Sequence, residues 1–366
     1  MSKKTKIVLG ATMSLALLFG FIDPLFPDAA FSFKRLHIFL FNLLTGGSVI
    51  LYYTVHQYRV PKIVKAYFLL ALAYALFAAR SLYIPALVIS VPLFVMVEIV
   101  RIRRFSFLPF DFFRQDVKIA DKFNHAALLC LSIGIVFASL VILNNEYLHL
   151  ISYEKLTLNV FFLGYSFPVS LITMSVMFSF MTRPHSKFVK WLMEAAFWLV
   201  NLGVVVFFVF IILGLLVPEM IAATTLFLTV WMIFVIFVKT APPVQQKTFL
   251  VSGMLFLLFT AVTGIFYILK YYIPALEPYT EYTLVLHAMV SLYGWNLSGL
   301  FIMIRWRDFP IRLNSGFAIF LHWAIVLILA PIGKYVFPVG LLALIIYVVL
   351  LIVVFAGEAG REKEHS

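Results

Sequence analysis

Between His287 and Gly299 the chain reads His-Ala-Met-Val-Ser-Leu-Tyr-Gly-Trp-Asn-Leu-Ser-Gly. An imidazole in such apolar company can carry a proton, bind a metal or hydrogen bond a neighbour. On a helix, His287, Ser291, Gly294 and Ser298 share one stripe, spaced +4, +7 and +11. Small and hydroxylated residues on one face suit a close helix contact or a slot for a cofactor. A second imidazole, His37, shares a face with Phe41, Leu44, Ser48 and Tyr52. The neighbouring Thr45-Gly46-Gly47-Ser48 removes side-chain bulk in mid-helix, and glycines there weaken a helix, so something packs close against them.

Other polar residues offer less chemistry. Asn159, Ser166, Ser170 and Thr173 share a face around Pro168, and either line a polar path or pack against another helix. Glu194 and Asn201 carry the same two readings, with Glu194 placed at the interface four residues after Lys190. His322 points up from the inner side of its helix. His56, His125, His149, His185 and His365 fall at helix ends, in a loop or in the tail, and are read as interfacial or solvated. The single cysteine, Cys130, excludes a disulfide framework, cysteine-held zinc and iron–sulfur clusters. No Cys-x-x-Cys-His, Gly-rich phosphate loop or Asp-x-x-x-Asp pair is present.

These residues must be positioned by membrane helices. Of 366 residues, 64% are hydrophobic and 12% charged, against about half and about a quarter in soluble domains. Runs long enough to cross the hydrocarbon layer fall near 7–27, 36–57, 63–79, 81–100, 124–144, 156–182, 191–216, 219–239, 248–270, 281–304, 315–333 and 336–356. The expected fold is therefore all-α: a polytopic bundle of about 12 transmembrane helices in one domain spanning 1–366. Of the 28 Lys and Arg, 22 fall in alternate connections and six (Lys34, Arg35, Arg80, Lys155, Lys270, Lys334) in the others. The positive-inside rule then puts both termini in the cytoplasm of a cell's inner membrane. The net charge of +12 follows this pattern and does not call for nucleic acid.

The first run follows Lys3, Lys4 and Lys6 as a signal peptide would, but Asp23-Pro24 and Phe26-Pro27 stand where a cleavage site belongs, so it is read as an uncleaved helix. The longest connection, 101–123, mixes Arg103, Arg104, Arg114 and Lys118 with Phe105, Phe107, Phe110, Phe112 and Phe113. It reads as a cytoplasmic interfacial loop, rings toward lipid and cations toward headgroups. Residues 357–366 form a polar tail. No internal repeat is visible.

His37 and His287 both start from the outer end of helices running the same way, so they lie at similar depth. Two neutral imidazoles so placed on facing helices can hold a haem iron from both sides. Arg35 and Arg80 lie on the same side and could meet haem propionates. The plain alternative is that His287 ties two helices together and His37 is an interfacial residue.

The helix count, the cytoplasmic termini and the histidines near the outer ends of the second and tenth spans resemble subunit I of the haem–copper oxidase superfamily. There the tenth-span motif reads similarly to His-x-His followed by Gly-Trp; here it is His287-Ala288-Met289, then Gly294-Trp295. The resemblance implies His37 and Met289 at the low-spin haem and His287 at the high-spin position. Methionine serves as an axial haem ligand and also as apolar filling. The family's copper ligands are a sixth-span His and a seventh-span His-His pair, and neither is present; nor is a Tyr-His crosslink motif. The resemblance covers helix count and one short motif, and implies a degenerate relative holding one b-type haem or none.

Three functions follow as expectations. One is a haem-binding protein for electron transfer or small-gas handling. Another is a transporter or permease for a neutral or apolar molecule. The last is a non-catalytic subunit assembling with membrane partners. The lipid bilayer is a partner in all three.

Overall fold

The computed structural model describes residues 1–26, 30–55, 59–151, 162–181 and 186–360. Eleven helices among them are long and apolar enough to cross a membrane: α1 (Lys3–Leu25), α2 (Phe33–Val55), α3 (Lys62–Ala79), α4 (Tyr83–Arg104), α5 (Ile119–Leu148), α7 (Lys187–Leu213), α8 (Leu216–Thr240), α9 (Gln245–Leu269), α10 (Pro274–Ile304), α11 (Ser315–Gly333) and α12 (Phe337–Ala356). The sixth run contributes α6 (Phe167–Ser179), continued upward by a π-helical stretch, Phe162–Ser166. Asn159 and the start of that run lie outside the described residues, as do His56, His185 and His365. No strand occurs among the described residues, and eleven apolar helices of this length make the chain a multi-pass membrane protein.

Local chemistry sets the helix ends. Ser2, Ser32, Ser186 and Asn314 accept from the backbone N–H three residues on, as N-caps do. Gly214 turns α7 into α8 with φ 66°, a conformation that costs glycine nothing. At the α3–α4 turn the same role falls to Ser81, with φ 56° and Leu82 N–H donating to Phe77 O.

Helices α2, α6 and α10 occupy the centre, α1 and α12 pack side by side to close the ring, and α7 and α8 form a hairpin at the periphery. Small residues permit the close approaches. A Cβ on Gly134 of α5 would sit 2.5 Å from Gly164 O, and one on Gly46 of α2 would sit 2.5 Å from the Val169 side chain of α6. Such contacts are how helices associate in lipid, where burial of apolar surface gives no advantage over contact with acyl chains.

The connection 101–123 only partly lies flat. Phe107, Phe110 and Phe113 are exposed, but Phe105 and Phe112 turn inward and flank the ring of His125 at 4.8 and 4.9 Å. His125 is therefore fully buried rather than interfacial, because the loop folds back over the start of α5. Arg101 is buried as well. It donates to both oxygens of Glu98 and to Ser106 O and Phe107 O, and its Nη1 lies 3.0 Å from His125 Nε2. Lys122, also buried, pairs with Glu194 at 2.8 Å and fastens α7 to α5. In the tail, residues 357–360 are held: Arg312 N–H donates to Glu358 O, and Gly360 N–H to Pro310 O.

Candidate functional site

The stripe on α10 faces α9. His287 Nδ1 lies 3.0 Å from Thr260 O and 3.2 Å from Thr263 Oγ1. One turn on from Thr260, a Cβ on Gly264 would sit 3.2 Å from the His287 ring. Further along, Gly294 packs on the Phe256 ring and Ser298 on Gly253. The other side of α10 meets α6: Trp295 Nε1 donates to Ser170 Oγ at 2.6 Å, Asn296 Nδ2 to Ser166 O and Oγ, and Gly299 abuts Thr173. The polar face of the sixth run, over its described part, is thus a packing surface.

His37 repeats the α9 arrangement on α1. Its Nδ1 lies 2.7 Å from Ala16 O, and one turn on, a Cβ at Gly20 would come within 2.9 Å of the same nitrogen. The short distance to a carbonyl requires Nδ1 to carry the proton. The hydroxyl of Tyr293, 3.1 Å away, then accepts rather than donates. The ring centroids of His37 and Tyr293 are 5.7 Å apart, and Tyr293 is also edge-on to Phe41 and Tyr347.

A third imidazole joins this cluster. In the π-helical stretch Val290–Asn296, the N–H of Leu297 reaches Gly294 O and Leu292 O, leaving Tyr293 O without its usual intrahelical donor. His322 of α11 fills that place, its Nε2 2.5 Å from Tyr293 O. His37, Tyr293 and His322 thereby link α1, α2, α10 and α11.

The structure brings His37 to Tyr293 and His287 to Thr260; no hydrogen bond or ring contact joins His37 to His287 among the described residues. Met289 is buried, and two residues on from His287 it points about 200° around the helix, onto a different face of α10. Arg35 is engaged with the α3–α4 turn, donating to Ala78 O, Ser81 Oγ and Tyr83 Oη. Arg80 is exposed at that turn. No group of three or more His, Cys, Asp or Glu able to hold a metal occurs among the described residues.

The donor chemistry of His37 and His287 suits a metal, since a proton on Nδ1 leaves Nε2 with the lone pair. The space does not. A cofactor of haem size needs a pocket of about 300 Å³ or more. Two clefts flank α2, of about 70 Å³ beside Arg35, Phe39, Tyr74 and Tyr165, and about 30 Å³ beside Tyr52, Tyr53 and Trp306. Neither reaches His37, His287 or Met289. Neither of these two clefts is large enough to seat a haem.

No protein-family model matches the chain, and no curated protein or solved structure matches it at a significant level.

Tyr293, Thr260, Thr263 and the Arg101–Glu98–His125 cluster were not marked by sequence reasoning. A signal for two of the ties exists in retrospect: an acceptor residue with glycine four positions on, Ala16 with Gly20 and Thr260 with Gly264.

Proposed function

We propose that the chain is a non-catalytic subunit of a membrane complex, with an architecture like that of oxidase subunit I but a core closed by protein–protein ties. The observation that carries this reading is the engagement of all three mid-bundle imidazoles, His37, His287 and His322, with backbone carbonyls of neighbouring helices. A bundle reinforced in this way has rigidity and little interior room, which suits a framework for other chains. The 22-to-6 division of Lys and Arg supports cytoplasmic termini in a cell's inner membrane. The test is extraction from native membranes in mild detergent, followed by native mass spectrometry and an optical spectrum. A colourless chain with stoichiometric membrane partners is expected. A lone chain, or a Soret band that disappears in His37→Ala, would overturn the proposal.

A second reading, a permease for a neutral molecule, has one observation in its favour: clefts open at both ends of the central helix α2 and are separated by its tightly packed middle. Single cysteines replacing Phe39 or Tyr52, with Cys130→Ser, would report on it. Reciprocal changes in their labelling when a substrate is added support transport. Labelling indifferent to any substrate removes it.

A further inference from the structure

The larger of the two clefts beside α2 brings opposite charges to one place. Arg35 of α2 and Glu146 of α5 both line it, together with the rings of Phe39, Tyr74, Tyr83 and Tyr165. The guanidinium is held from one side. Its Nη1 makes all three of its side-chain hydrogen bonds among the described residues, to Ala78 O, Ser81 Oγ and Tyr83 Oη. These fix the side chain and leave the Nε–Nη2 edge without a hydrogen bond among the described residues. That edge is a fork with which arginine takes a carboxylate or phosphate at two points. Glu146 is exposed and pairs with no cation among the described residues, Arg35 included.

Opposite charges that line one cleft without meeting leave a place for a ligand that carries both. A lone anion would be repelled by Glu146 and a lone cation by Arg35. The aromatic rings suit the carbon between the two charges of such a ligand. Phe39 is edge-on to Tyr74 at 5.4 Å and to Tyr165 at 5.5 Å, and all three rings are buried. At about 70 Å³ the cleft has room for about five waters. That volume admits a small headgroup or a free amino acid.

We propose that this cleft binds a small zwitterion, with its phosphate or carboxylate on the Nε–Nη2 edge of Arg35 and its ammonium on Glu146. Two sources offer that chemistry. One is the headgroup of phosphatidylethanolamine, since Arg35 and Glu146 sit at the ends of their helices, where headgroups lie. The other is a free zwitterion from the aqueous side.

The full-length protein, reconstituted in vesicles of phosphatidylcholine alone or mixed with phosphatidylethanolamine or phosphatidylglycerol, provides the test. For a lipid ligand, native mass spectra of the released protein should show phosphatidylethanolamine retained above the other two. Phosphatidylcholine has no N–H to give Glu146, and phosphatidylglycerol has no cation. For a soluble ligand, glycerophosphoethanolamine added to the phosphatidylcholine vesicles should raise the melting temperature instead. Arg35 also ties down the α3–α4 turn, so the deciding variant is Glu146→Gln, at an exposed site. It should lower phosphatidylethanolamine retention, or the affinity for glycerophosphoethanolamine, about fivefold, the upper worth of one exposed ion pair. Glu277→Gln, which changes an exposed carboxylate at the same end of the bundle, should leave both unchanged. No preference for phosphatidylethanolamine together with no response to glycerophosphoethanolamine overturns the proposal. So does an effect that survives Glu146→Gln, or one lost equally in Glu277→Gln.

Discussion

The central helix α2 and the peripheral helix α7 are both single apolar spans, yet they reverse the rule that soluble proteins follow. Over its most apolar stretch α2 has a mean hydropathy of 1.6 and is 89% buried; α7 has 2.8 and is 17% buried. Water is absent from both surroundings, so greasiness no longer drives a helix inward. What selects α2 for the centre is its small and polar residues: Gly46 and Gly47 let Val169 and Tyr67 approach, and Thr45 reaches Thr12 of α1. What keeps α7 outside is its Leu, Val and Phe, for which lipid serves as well as protein. Its attachment depends on its helical neighbours and on a few contacts at one end, Lys122 with Glu194 and Phe197 against Phe112 and Phe123.

Substitutions that exchange the two characters test this contrast. The largest effect is expected from Gly299→Leu on α10, where any Cβ would collide with Thr173. Overpacking of a tight core costs about 1–3 kcal/mol and sometimes more, so the variant should be lost from the folded membrane fraction. Normal accumulation would show that the centre is looser than described. His287→Ala removes a tie to α9, and melting in detergent should report about 0.6–1.7 kcal/mol, the range for hydrogen bonds between membrane helices. A larger loss, restored by an added ligand, would instead point to a binding role for the imidazole.

Outside the membrane, Asp111 provides a pH-dependent term. Its partial burial raises its pKa, but the Ser106 N–H and hydroxyl, then His125 and Arg114, outweigh that and hold it below the ordinary carboxylate value. A depressed carboxylate stabilises the fold above its unfolded pKa of about 4 and loses that contribution as pH falls through the folded value. Melting temperature should therefore drop in acid below about pH 4, and Asp111→Asn should flatten that part of the profile. An identical acid limb in the variant would assign it to other groups. The smallest effect belongs to α7: Leu202→Ala, on an exposed site, should change stability by less than about 0.5 kcal/mol. A loss of assembly without a loss of stability there would identify the hairpin as a contact for another chain.

The sequence shows the helices plainly, because 20 apolar residues in a row have few other uses. It also shows one contact face correctly: His287, Gly294 and Ser298 all meet α9. The neighbour of that face is not legible. Matched depth pairs His287 with His37 as readily as with Thr260, and nothing local in the pattern chooses between α2 and α9. His125 was placed at the interface from its position at a helix end. Its burial depends on Phe105 and Phe112 closing over it, a contact made by folding the loop back that periodicity does not encode. Arg101 and Lys122 illustrate the same limit, since a basic residue at a helix end counts toward topology whether it meets headgroups or a carboxylate of the protein.

The π-helical stretch Val290–Asn296 fixes how the two halves of α10 are aligned. A π turn holds more residues than an α turn, so this stretch amounts to an insertion kept inside the helix. Forcing these residues into regular α geometry with none removed would give Tyr293 O its usual intrahelical donor. It would also rotate everything beyond, Leu297–Ile304, by about 100°. Ser298 would leave Gly253, and Gly299 would leave Thr173. Repairing the backbone locally would misalign the lower half of the helix, so the irregular turn sets the register between two halves that answer to different neighbours.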